Sequence, residues 1–305
     1  MSLFSSKIQN VIGPGIIFAG AAIGGSHLMS STTAGARFGF SLIVLILITN
    51  FLKYPFLLVG TRFTASTGMT LLEGFKKRNS LYLPIFLIIS LVTGTFTIAA
   101  VSFVSGVLLT NIPLFSNFPP MDLSIIVLVI CGFILIFGKY KALDNLSKIL
   151  VSLLTILTFF AVISLLINGS LNNDLTATFF NPETSPWRLS NLSFLIPLMG
   201  WMPCPVELCV WPSLWMFSKN KESKYRPTVQ EAEFDFNLGY LITIITAIFF
   251  VTLGAITMYG TGDGMLSGSG VSFAQNLIKL YTESIGEWSK WVIIPASFAA
   301  MFSTT

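Results

Sequence analysis

Runs of about twenty apolar residues recur from one end of this chain to the other, each long enough to cross a hydrocarbon core of roughly 30 Å as a helix. Within lipid the chain must satisfy its own backbone N–H and C=O groups, which leaves helices or closed barrels as the only spanning structures. We read eight segments, at about 11–36, 40–61, 82–110, 122–138, 146–167, 193–217, 237–259 and 288–305. The expectation is an all-α polytopic membrane protein whose first partner is the lipid bilayer. Composition agrees: 53% hydrophobic residues, 10% charged residues and a mean hydropathy of +0.81 are far from a soluble domain. The net charge of +4 does not mark a nucleic-acid binder, because the basic residues flank the spans. Cys131, Cys204 and Cys209 lie in apolar segments and imply no disulfide framework.

The loops give an orientation. Alternate sides of the membrane receive twelve and four Lys and Arg residues, leaving out Lys53 inside the second span. The positive-inside rule then places the N-terminus in the cytoplasm, and the expected location is the plasma (inner) membrane. Met1 to Asn10 is short and polar, and the apolar segment after it lacks the pattern of a cleaved signal peptide. Between the last two spans, Phe273, Leu277, Ile278 and Tyr281 recur at helical spacing in a stretch too polar to span, so Ser272–Trp288 reads as a helix at the surface. Thr305 closes the sequence within an apolar segment, and we expect further spans beyond it.

Two spans are broken at mid-depth, the first by Gly24-Gly25-Ser26-His27 and the sixth by Met202-Pro203-Cys204-Pro205. Backbone released by a break is tolerated in a membrane only inside protein or beside water. A pair of broken helices at matching places in two halves of a chain points to a transporter's binding site. His27 is the chain's single histidine, and Glu207 is the carboxylate that falls well inside a hydrophobic segment. Both are expensive to bury in a membrane, so both read as functional. Lys53, before Tyr54-Pro55, reads equally as structural, as a counter-ion or as a stand-in for a coupling cation.

Gly13-Pro14-Gly15, Ala34-Gly35-Ala36 with Gly39, Asn50, Arg62 and Thr67-Gly68 resemble the Nramp family of divalent-metal transporters without gaps. Ile112-Pro113-Leu114, Lys139 to Leu146, Met202-Pro203, Asp235 and Phe298-Ala299-Ala300 extend the resemblance over the whole chain. It implies a LeuT-type inverted-repeat fold with discontinuous helices 1 and 6. One transporter domain fills 1–305, with helices 1–5 of the first repeat over about 11–167. A partial second repeat over about 193–305 is truncated in helix 8. The departures matter as much. The family's metal-binding Asp-Pro-Gly-Asn reads Gly24, Gly25, Ser26 and His27 here, and its Met-Pro-His-Asn reads Met202, Pro203, Cys204 and Pro205. The third span, where the family carries acidic residues for proton movement, holds no Asp or Glu.

The substrate site is therefore expected around Gly24, Gly25, Ser26 and His27 on one side and Met199, Met202, Cys204 and Glu207 on the other. His27, Met202, Cys204 and Glu207 would form a metal-ligand set in which imidazole and sulfur favour transition metals over magnesium. Cys204 and Glu207, three apart, would share a face if the helix ran on through Pro205. The function read from this is secondary transport or symport of a divalent metal by alternating access. No cofactor is implied beyond the transported cation. A small organic solute such as an amino acid is the second reading, because Gly24-Gly25 leaves volume that Trp201 and Trp211 would line. A non-transporting sensor is the third. Nothing around Cys204, His27 and Glu207 resembles an enzyme motif.

Overall fold

The structure, a computed structural model, describes residues 11–167, 185–259 and 270–305. Among these residues the regular elements are helices. The first span is α1 (Pro14–Ala22), a π-helical turn (Ser26–Ser31) and α2 (Thr32–Phe38). Then come α3 (Ile43–Thr67), the short α4 (Leu71–Arg78), α5 (Tyr82–Leu109) and α6 (Pro120–Ile167). The sixth span is α7 (Leu192–Trp201), a 3-10 turn (Val206–Cys209) and α8 (Trp211–Ser223). The chain continues through α9 (Val229–Met258), α10 (Gly270–Ile285) and α11 (Lys290–Thr304).

Five stretches among the described residues are long and apolar enough to cross a membrane: Ile43–Thr67, Tyr82–Leu109, Pro120–Phe137, Leu189–Cys209 and Val229–Met258. Their outer faces carry large apolar side chains, with Phe51, Phe96 and Phe137 each more than 70% exposed. Such a surface is at home in lipid and would drive association in water.

The central post is α9, half of whose apolar window is buried, against 11% for peripheral α5. Both halves of the first span pack against α9 through paired glycines. A Cβ on Gly15 would lie 2.0 Å from the Asp235 carbonyl oxygen, and one on Gly239 would lie 1.9 Å from that of Gly15. Deeper along the same pair, Gly35 abuts the Val251 carbonyl and Gly254 abuts that of Thr32. Small residues let helix backbones meet where lipid supplies no hydrophobic drive to associate.

Two expectations need correction. The polar stretch 139–145 is no break: 120–167 is one helix of 48 residues, about 72 Å if straight at 1.5 Å per residue. Lys139 to Leu146 contains neither Gly nor Pro, and polarity alone does not end a helix. The amphipathic helix α10 is present, but it turns its apolar face into protein. Leu277, Leu280 and Tyr281 are each 1% exposed, and the Tyr281 hydroxyl pairs with Thr158 Oγ1 of α6 at 2.9 Å.

Candidate functional site

The first break is short. α1 closes at Ala22, and the Ile23 N–H still donates to the Ala19 carbonyl at 2.8 Å. Winding then resumes at once, because the His27 and Leu28 N–H groups both donate to the Gly24 carbonyl, at 3.1 and 2.9 Å. The absent side chains of Gly24 and Gly25 make room for neighbours. A Cβ on Gly24 would strike Thr304 of α11, and one on Gly25 would lie 3.1 Å from the Trp201 ring. The Ser26 hydroxyl lies 2.9 Å from the Ala22 carbonyl and 3.3 Å from that of Pro203, so it bridges the two breaks.

The second break is wider. Met202 and Pro205 are extended, with ψ of 131° and 165°, and ordinary helix returns only at Trp211. Prolines cause this directly. Pro203 and Pro205 have no N–H to give to the carbonyls of Met199 and Trp201, four residues earlier.

Between the breaks lies a cavity of about 30 Å³, walled by Gly25, Ser26, Trp201, Glu207, Trp211 and Thr304, with Gly94 and Thr97 of α5 beyond. Glu207 is 1% exposed and its Oε2 has no hydrogen-bond partner. A buried, unpaired carboxylate costs several kcal/mol unless a cation or proton joins it. The expected residues Gly25, Ser26 and Glu207 thus meet at one cavity, as do Trp201 and Trp211.

The soft donors do not join them. His27 is fully buried, with Nε2 donating to the Thr243 carbonyl of α9 at 3.0 Å and Nδ1 2.8 Å from the Ser26 hydroxyl. With a carbonyl as its partner, Nε2 must carry a proton, so both ring nitrogens are engaged. Met202 is buried among Phe38, Leu195 and Val251, its sulfur 3.9 Å from the Ser31 hydroxyl. Cys204 packs among Phe18, Leu57 and Tyr240, and Met199 is 40% exposed on the outer side. Extended Pro205 is the reason Cys204 and Glu207 do not share a face. Among the described residues no three His, Cys, Asp or Glu side chains gather as a metal-binding group, so the four-ligand set read from the sequence is not assembled in this conformation. Gly24 makes way for Thr304 and does not border the cavity.

Two polar side chains hold the broken spans in place. Lys53 of α3 donates from Nζ to the Gly200 carbonyl at 2.6 Å and to that of Cys204 at 3.4 Å. Asp235, in the first turns of α9, accepts the Gly13 N–H on Oδ1 at 3.0 Å and the Gly15 N–H on Oδ2 at 2.7 Å. The free N–H groups at the start of α1 thereby gain a charged acceptor at the positive end of the helix dipole. Sequence reasoning noted Asp235 but missed this clamp; the signal was a Gly-Pro-Gly helix start with an acid later in the chain. Thr304 was missed altogether, being one hydroxyl among many.

A larger hollow, about 400 Å³, opens between α3 and α9 against Phe51, Tyr54 and Leu241, away from both breaks. Its walls are mainly apolar, with the Tyr54 hydroxyl donating to Asn237 Oδ1 at 2.7 Å, so it offers no counterpart to the Glu207 carboxylate.

A family model described as Nramp, natural resistance-associated macrophage protein-like, matches residues 15–305. An uncharacterized protein of Pasteurella multocida (strain Pm70) is 38% identical over 304 residues, which is 100% of this chain and 69% of the relative. Among solved structures, the manganese transporter of Eremococcus coleocola in complex with an aromatic bis-isothiourea substituted compound superposes with a TM-score of 0.64 at 15% identity. That match covers 98% of this chain and 63% of the transporter. A mutant form of the same transporter gives a TM-score of 0.64, covering 95% and 62% of the two chains. This chain thus spans under two thirds of the solved transporter's length. At this identity the likeness establishes the fold: all-helical, of the LeuT type.

Proposed function

The chain belongs to the Nramp family, and on that premise we propose that it is a secondary carrier of a divalent cation, bound at the cavity between its two helix breaks. The observation that carries this reading is Glu207: a carboxylate with 1% exposure and an unpartnered oxygen, facing a small cavity inside a membrane protein. Family membership supplies the prior, and the unpartnered carboxyl oxygen of Glu207 supplies a place for a cation.

The cavity at Glu207 is ion-sized, although a second hollow of about 210 Å³ shares Gly25, Val101 and Trp201 with it. Holding one water takes roughly 10–15 Å³ of such space, so the Glu207 cavity suits an ion with one or two waters. Sites for drug-sized organic ligands run to about 300 Å³ and more. The polar residues at the wall, Glu207 with Ser26, Thr97 and Thr304, carry oxygen and are set among apolar side chains such as Ile98, Val101, Trp201 and Leu208. Oxygen donors and retained water suit magnesium-like and manganese-like ions better than soft ones. The family's usual acid in the first break is replaced by Gly24, and Glu207 takes over as the negative charge.

The carrier works by exposing this cavity alternately to the two sides. Because α1 and α2 are pinned to α9 by paired glycines and Asp235, the moving body includes α9 as well as the broken helices. We place residues 11–167 in the first structural repeat and 193–305 in the second. We place the N-terminus in the cytoplasm; the Lys and Arg distribution favours this where Lys139, Lys141 and Lys148 separate two spans, whereas α6 runs through them as one helix.

Trp201 and Trp211 on the cavity wall provide the test. Titrating purified protein with Mn²⁺ should quench tryptophan fluorescence saturably, and Glu207→Gln should abolish the saturable part while leaving the fold intact. Equal quenching in wild type and Glu207→Gln would remove the carboxylate from the site.

A further inference from the structure

Lys53 sits near the middle of the 25-residue helix α3, with Phe51, Leu52 and Phe56 beside it exposed on the lipid-facing surface. A lysine at the centre of a spanning helix is unfavourable by about 2.5–3.5 kcal/mol on insertion scales, so something must hold it there. Its hydrogen-bonding partners among the described residues are two backbone carbonyls, Gly200 at 2.6 Å and Cys204 at 3.4 Å. Both belong to the broken sixth span. Gly200 is in the last turn of α7, where carbonyls are without intrahelical donors and the helix dipole is negative. The N–H that would serve Gly200 in a continuous helix is that of Cys204, which lies in the extended segment.

Carbonyls at the end of a broken half-helix are the kind of group that coordinates small monovalent cations in carriers with discontinuous helices. A lysine ammonium is a compact point charge with three donors, chemically close to such an ion. We propose that Lys53 is a tethered cation that fills the carbonyl site at the second break, so that the protein holds this half-helix without a bound sodium or potassium ion there. The charge comes from α3, so the break is pinned to a continuous neighbouring helix. Glu207 stands apart from this contact, and its carboxylate stays available to the cavity.

The proposal predicts that removing the side chain creates a vacancy for a free cation of similar shape. The experiment measures melting temperatures of the purified full chain in detergent, for wild type, Lys53→Ala and Lys53→Arg. Each is titrated with methylammonium chloride, sodium chloride or choline chloride at matched ionic strength. Lys53→Ala should melt several degrees lower and recover at least half of that loss in methylammonium, but not in choline. Wild type should respond to none of the salts specifically. Lys53→Arg keeps the charge and donors, so it should fold, melt near wild type and ignore methylammonium. Three results would overturn the proposal: Lys53→Ala melting at the wild-type temperature, a loss that neither methylammonium nor sodium restores, or Lys53→Arg gaining from methylammonium. The readout is stability, so the test holds even if the cavity carries no divalent ion.

Discussion

At the residue scale, one carboxylate faces the cavity and the softer donors look elsewhere. Met202 and Cys204 occupy two separate apolar clusters, and His27 spends both ring nitrogens on Ser26 and Thr243. Met202→Leu should therefore cost less than about 1.5 kcal/mol, as volume-conserving swaps do, and shift the midpoint of Mn²⁺ quenching by no more than about twofold. A tenfold loss would put the thioether back among the ligands. His27→Ala should destabilise the fold by about 1–3 kcal/mol, because it leaves buried polar atoms unpaired. Denaturation midpoints check this, with cation affinity unchanged in the surviving folded protein. The sequence already marked His27 and Glu207 as the unusual side chains. Their directions were illegible, because a π-helical turn and two extended residues rotate them in ways a regular helix does not.

At the scale of elements, the broken first span is held by backbone contact with α9. Gly15 and Gly239 touch so closely that Gly239→Ala would drive a methyl into the Gly15 carbonyl, at 1.9 Å before relaxation. Overpacking of this kind costs about 1–3 kcal/mol, and we expect Gly239→Ala to lower the melting temperature accordingly. Asp235→Ala strips the Gly13 and Gly15 N–H groups of their acceptor and should cost at least as much. If neither variant shifted melting, the α1–α9 contact would not be a structural joint. Most helices could be read from hydropathy: the span expected at 82–110 is α5, Tyr82–Leu109. The connection expected at 139–145 failed because charged residues were taken for a loop, whereas helix ends follow Gly, Pro and capping residues. Where such signals exist they work, as in the Thr70–Glu73 capping box that opens α4.

At the scale of the molecule, family and fold were legible in the paired breaks and the motifs around Gly13–Gly68, while the ligand set was not. Only the assembled packing shows which side chains at the breaks face inward. Here that packing leaves a small, mostly apolar cavity bordered by one carboxyl group with an unpartnered oxygen. The direct measurement is uptake into proteoliposomes of the full-length protein, with Mn²⁺, Mg²⁺, Ca²⁺, Zn²⁺ and Co²⁺ in parallel, for wild type and Glu207→Gln. The account predicts saturable flux of at least one hard divalent cation in wild type and its loss in Glu207→Gln. Folded protein that moves none of these ions, or Glu207→Gln protein that moves them at the wild-type rate, would contradict it.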